Sequence, residues 1–237
     1  MTGKTEPRRV SPEGVLAARA ALERFLEAKT WLALPVGIVG CVLVALLERR
    51  HGVGAADRAL SGAAFGLSLP ILAYLVTDSS LSRRRLSTNL SSIVRHGGSP
   101  SAAASGTLAS VLLFSTSTGA LLGALTTFVA RAGTDGAWLR DVGASAWIGI
   151  LGGAAYASAF VFASSFGKRG GGRQLLFALD FLFGISSSAL ALPWPRSHIR
   201  NLIGGTPPLE LSQPASAAAL VLIAGLTAIF AVRRARA

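Results

Sequence analysis

The chain has 237 residues, of which 51% are apolar and only 14% charged, at a mean hydropathy of +0.54; a soluble domain carries about 25% charge. That deficit, with long uncharged runs, points to an all-α polytopic membrane protein, and six spans of about 20 residues each leave no room for a soluble catalytic domain of usual size. The net charge of +12 sits in loops flanking apolar runs, where bases set topology; no interleaving of bases with aromatics argues for nucleic acid.

Residues 1–29 read as a polar tail carrying an amphipathic helix. Ser11-Pro12-Glu13 predicts its start, with Ser at the N-cap, Pro at the first helical position and an acid in the first turn. Val15, Ala18, Leu22, Phe25 and Leu26 then recur at helical spacing, while Arg19, Glu23, Arg24 and Glu27 take other faces. Such a helix lies along a membrane surface. The apolar run that follows starts too late, and lacks the small-residue cleavage site, expected of a signal peptide.

Residues 30–237 read as one transmembrane domain with six apolar segments, at about 30–47, 59–77, 106–130, 145–166, 174–192 and 214–232. Asp180 is the one acid within them, and none holds a base. Trp31, Trp147 and Trp194 fall near predicted borders, and Trp138 in a connecting loop. Cys41 lies inside the first segment with no second cysteine to pair with.

Orientation follows from the bases. Lys4, Arg8, Arg9, Arg19, Arg24 and Lys29 of the tail fall on one side with Arg83, Arg84, Arg85, Arg95, Lys168, Arg169, Arg173, Arg233, Arg234 and Arg236. Only Arg49, Arg50, Arg58, Arg131, Arg140, Arg196 and Arg200 fall on the other. The bias places both termini in the cytoplasm, with the protein in the cell (inner) membrane. Gly62-x-x-x-Gly66, Gly119-x-x-x-Gly123 and Gly149-x-x-x-Gly153 put small residues on single helical faces, for close contact between spans.

Groups for catalysis are sparse. His51, His96 and His198 all lie in loops and fall on different sides. Gly184-Ile185-Ser186-Ser187-Ser188 faintly resembles the nucleophile setting of an intramembrane serine protease, but no span holds a His to activate it. Gly3-Lys4-Thr5 and Gly167-Lys168-Arg169 lack the spacing of a phosphate-binding loop. The expectation is no catalytic residue, no metal ligand set and no cofactor on this chain. Asp180 fits two roles, a structural ion pair with a base such as Arg173 or Lys168, or a functional polar site.

The loop after the second segment is the most informative. Arg83-Arg84-Arg85 precedes Leu86, Leu90, Ile93 and Val94 at i, i+4, i+7 and i+8, and Gly97-Gly98 follows. This predicts a short amphipathic helix whose apolar stripe suits a groove on a partner.

The layout resembles the type-2 permease subunits of ATP-binding-cassette transporters. The resemblance is one of architecture and covers nearly the whole chain. The family's interface helix would fall on Ser11 to Lys29, its coupling helix on Arg85 to Arg95, and its external segment between spans five and six on Leu192 to Gln213. It implies ATPase contact through Arg85, Leu86, Asn89, Leu90, Ile93, Val94 and Arg95. It also implies an external connection carrying Trp194, Arg196, His198 and Arg200, with a short helix from Ile199 to Ile203 capped by Gly204. The expected partners are separate ATPase subunits, which hold ATP and Mg, and a second permease copy, identical or not. The expected function is ATP-driven export of a hydrophobic or amphipathic cargo. Two other classes fit the same spans: a six-span scaffold or assembly factor that transports nothing, and a small secondary carrier using Asp180.

Overall fold

The computed structural model describes residues 11–131 and 137–236. Lys4, Arg8, Arg9 and the Gly3-Lys4-Thr5 stretch lie outside them. The described elements are all helical, and five helices are long and apolar enough to cross a membrane. The chain is a polytopic membrane protein.

Helix α1 (Pro12–Glu27) begins as the sequence dictates: the Ser11 hydroxyl accepts from the Gly14 amide at 3.3 Å, and Pro12 takes the first turn. Its packed face differs from the expected one. Gly14, Ala17, Ala21 and Phe25 are buried, whereas Val15 (54% exposed), Leu16 and Leu26 face outward. The cause is close backbone approach. A Cβ on Gly106 would come within 1.9 Å of the Gly14 carbonyl oxygen, and Ser110 donates to the Ala18 carbonyl at 2.9 Å. Two backbones this near leave room only for small residues along the seam, so Val15, Leu16 and Leu26 turn away and Phe25 alone of the bulky apolar residues is buried, beyond the close approach.

Helix α2 (Ala33–Arg49) lies at the edge, with Val36, Val39, Leu43 and Leu47 exposed as a lipid-facing surface requires. Helix α3 (Ala55–Ser80) is more buried and contains a π-helical stretch, Leu60–Ser68. A Cβ on Gly66 would lie 2.0 Å from the Ser61 carbonyl oxygen, so the wide turn depends on glycine there. Helix α4 (Leu86–Arg95) is the predicted short amphipathic helix, with Gly97 at φ +83° ending it.

Helices α5 (Pro100–Arg131) and α6 (Trp138–Ala163) form the central pair. Cβ atoms on Gly119, Gly123 and Gly153 would meet the carbonyl oxygens of Gly149, Ser145 and Ser115 at 2.1, 2.3 and 2.4 Å. The Gly119/Gly123 and Gly149/Gly153 faces therefore pack on each other within the chain, whereas Gly62 faces open space. Thr127 adds a 2.7 Å hydrogen bond to the Ser145 hydroxyl. Trp138, expected in a loop, is the first residue of α6, with its ring edge-on to Phe128 at 5.4 Å.

The predicted fifth span is not one helix. Helix α7 (Gly172–Phe183) has 12 residues, a length of about 18 Å at 1.5 Å per residue, against a hydrocarbon core of about 30 Å. It stops at Gly184, and residues 184–194 are irregular apart from a single turn at Ala189–Ala191. Helix α8 then runs Pro195–Leu202, four residues earlier than the predicted Ile199 start, and Gly204 (φ +86°) follows its end. The serine run and the flanking Pro193 and Pro195 explain the break: hydroxyls compete for backbone partners, and proline withholds its N–H. Helix α9 (Gln213–Arg234) completes the bundle at its edge, opened by a Ser212 cap.

Two apolar clusters hold the fold. One joins Phe65, Leu69, Leu122, Tyr156, Phe160, Ile199 and Leu220 in the middle of the bundle. The other joins Phe25 of α1, Val76 of α3, Leu86 and Leu90 of α4, Leu108 of α5 and Val161 of α6 at one end.

Candidate functional site

Two polar regions stand out, one at the α1/α4 end of the bundle and one at the break between α7 and α8. At the first, the seven residues expected to meet a partner divide by side. Leu86, Leu90 and Asn89 are buried, at 0%, 2% and 8% exposure, and point into the bundle. Ile93 is half-buried, while Arg85, Val94 and Arg95 are exposed alongside Ser87, Thr88 and Ser92. The apolar stripe of α4 is thus its attachment to the spans, and the outward face is mostly polar.

That attachment is reinforced by a residue the sequence reading took as a loop base and a candidate partner for Asp180. Arg173, in the first turn of α7, is 2% exposed and ion-pairs with Asp78 at 2.8 Å. Its Nη1 donates to the Arg84 carbonyl and the Ser164 hydroxyl, both at 3.2 Å. Arg85 donates to the Ser165 carbonyl at 3.1 Å, and the Leu86 amide to the Ser164 carbonyl at 3.2 Å. The α3–α4 and α6–α7 connections are therefore fastened together through one buried guanidinium. No local signal marks Arg173, because Asp78 and Arg84 lie about ninety residues away.

An open groove of about 650 Å³ separates α1 from α4, lined by Glu13, Leu16, Arg19, Glu23, Ile93 and His96 among others. Arg24 donates to the Ser80 carbonyl at 3.2 Å, tying α1 to the end of α3. Partial burial first, and Arg84 second, lower its pKa from the ordinary arginine value, against the opposing pull of Glu23 and Glu27.

At the break, Asp180 is 1% exposed and pairs with neither Arg173 nor Lys168. Its Oδ2 accepts from the Tyr156 hydroxyl at 2.8 Å, and its Oδ1 from the Arg196 backbone amide at 3.2 Å. The carboxylate therefore satisfies a free amide in the first turn of α8, as a capping acid does. The Arg196 guanidinium lies 4.1 Å from the Phe181 ring centroid. The Trp194 ring stacks on Phe183 at 6.3 Å. Sequence reasoning assigned Asp180 to a span and Arg196 to an outside connection; the structure brings them together.

His198 is fully buried. Its Nε2 donates to the Leu192 carbonyl at 2.8 Å, so Nδ1 accepts from the Ser216 hydroxyl at 3.2 Å. Asn201 bonds the same hydroxyl at 2.9 Å and the Leu211 carbonyl at 2.7 Å. Both imidazole nitrogens are used in docking α8 on α9. Arg200 donates to the Ile185 carbonyl. Among the described residues, no three His, Cys, Asp or Glu side chains gather in a metal-binding group. No protein-family model, curated protein or solved structure matches this chain.

Proposed function

We propose that the chain is the membrane permease subunit of an ATP-driven exporter, working with separate ATPase subunits and a second permease copy. One observation carries the reading: α4, lying between α3 and α5, embeds Leu86 and Leu90 in the same apolar cluster as α1 and four spans, while its polar side stays exposed. A push on that exposed side reaches α3, α5 and α6 together, since close-packed interiors transmit displacement rather than absorb it. The Arg173 fastening carries the push to α7. In this reading the α1/α4 end faces the cytoplasm, in accord with the bias of bases, and the protein sits in the cell membrane with both termini inside. Helices α7 and α8 together supply the fifth of six crossings, with about 18 and 12 Å of helix. The spans carry few charged groups, which suits a hydrophobic or amphipathic cargo.

The test is recovery of partners in gentle detergent, followed by ATP hydrolysis. An ATPase subunit is expected in near-equal amount, with hydrolysis falling when the exposed Val94 becomes Asp. Leu90→Asp is a poor probe because Leu90 is buried and a charge there disrupts the fold. A monodisperse preparation that brings down no ATPase sinks the proposal.

The interrupted fifth crossing favours a second reading. Discontinuous helices with a buried acid at the break line the sites of many secondary carriers. Cargo movement in vesicles driven by a proton gradient, without ATP and abolished in Asp180→Asn, would select it.

A further inference from the structure

Beside the break lies a small cavity of about 90 Å³, between the π-helical stretch of α3 and helix α8. We propose that it is an oxyanion site, in which Arg196 and Arg200 take the phosphate or carboxylate head of an amphipathic ligand.

The first ground is an unanswered donor. Arg196 Nη1 is buried and has no hydrogen-bond partner. A buried guanidinium donor with no acceptor is unfavourable, so a group that supplies one is bound in preference to nothing. Asp180 does not supply it: its oxygens accept from the Tyr156 hydroxyl and the Arg196 amide, and neither reaches Nη1. The second ground is charge. Arg196 and Arg200 both line the cavity and no acid does; with Asp180 counted, one positive charge remains in excess. Guanidinium forks match planar and tetrahedral oxyanions, which they hold by paired N–H groups.

The third ground is shape. The wall is the π-helical stretch, a rare turn type that recurs at functional sites. A Cβ on Gly66 would sit 3.8 Å from Arg196 Nη2, so the guanidinium lies directly along that turn. The volume holds one phosphate-sized group, or about three waters at roughly 30 Å³ each. Phe65 and Ile199, both buried, line its inner wall, and Ile185 and Ser61 are exposed at the mouth. Two guanidinium groups beside apolar side chains, with the apolar Ile185 at the mouth, suit an amphiphile whose head sits on the arginines. That this amphiphile is the exporter's cargo rests on the transport proposal; the oxyanion site itself does not.

The full-length chain is exchanged into nanodiscs of equal phosphatidylglycerol and phosphatidylcholine, and the retained lipid is read by native mass spectrometry. Inorganic phosphate is added in a parallel arm. Wild type is expected to retain one phosphatidylglycerol per chain. Arg196→Gln is expected to weaken retention at least tenfold, and Arg196→Lys less. Ser61→Phe closes the mouth from an exposed position without touching either arginine, and is expected to weaken retention equally while elution stays monodisperse. Equal retention in wild type, Arg196→Gln and Ser61→Phe overturns the site. Binding of phosphate without lipid overturns the amphiphile assignment. Lipid retention by a chain that recovers no ATPase upholds the site while removing the transporter reading, so the two failures are distinct.

Discussion

Replacing Arg173 with Met tests whether one buried guanidinium fastens the two connections that meet beside α4. The substitution keeps the length and apolar stem of the side chain and removes the charge. It deletes the 2.8 Å ion pair to Asp78 and the bonds to the Arg84 carbonyl and Ser164 hydroxyl. Breaking a buried pair from one side costs about 3–5 kcal/mol, because the remaining charge is stranded. Asp78 is 14% exposed and keeps a 3.5 Å contact with Arg83, itself largely solvated. The expected loss is therefore near the lower end, about 3 kcal/mol. Asp78→Asn strands Arg173 instead, but leaves it three neutral acceptors, the Arg84 and Arg169 carbonyls and the Ser164 hydroxyl. The double variant strands no charge, so its loss falls short of the sum of the singles by well over 1 kcal/mol, as coupled neighbours do. Reversible unfolding in mixed micelles gives the three numbers. Hydrogen exchange at the Leu86 amide, which donates to the Ser164 carbonyl, reports whether the connections part. Additive losses, within about 0.5 kcal/mol, with unchanged Leu86 protection, would refute the fastening.

Three further predictions rest on other contacts. Tyr156→Phe removes the one side-chain donor to Asp180 and is expected to cost about 1.5–3 kcal/mol, the range for a hydrogen bond to a charged group, measured in the same micelles. Gly119→Ala sets a methyl group 2.1 Å from the Gly149 carbonyl oxygen; forcing α5 and α6 apart is expected to cost about 1–3 kcal/mol, and a cost under half a kcal/mol would contradict the interlocked seam. On α1, Ala21→Leu is expected to loosen the helix from α5, read as faster proteolysis near residue 28, whereas Val15→Ser leaves proteolysis unchanged. The reverse order would restore Val15 to the packed face.

Several local features were readable before any tertiary contact was known. The Ser11-Pro12 start of α1 and the Gly97-Gly98 end of α4 follow from backbone chemistry confined to a few residues. The long apolar helices α2, α3, α5, α6 and α9 follow from hydropathy and length, which are properties of a window. The fifth segment misled because its hydropathy runs on through Gly184 and the serines, whereas helix continuity depends on backbone bonding that those residues disturb. Leu86, Asn89 and Leu90, expected from the resemblance to meet an ATPase, point into the bundle for a related reason. An apolar stripe says that a helix has something to bury, not against what.

The sequence by itself determined the class of protein, the all-helical membrane architecture, the helix ends set by caps and glycines, and the presence of an amphipathic helix between α3 and α5. Each depends on neighbours along the chain. Only tertiary contacts settled that α1 packs by Gly14, Ala17, Ala21 and Phe25 while Val15, Leu16 and Leu26 face outward, that Arg173 answers Asp78, and that Asp180 meets Tyr156 and Arg196. Those outcomes turn on how closely two backbones approach and which distant charge reaches a desolvated partner first, and neither is written in any window of sequence.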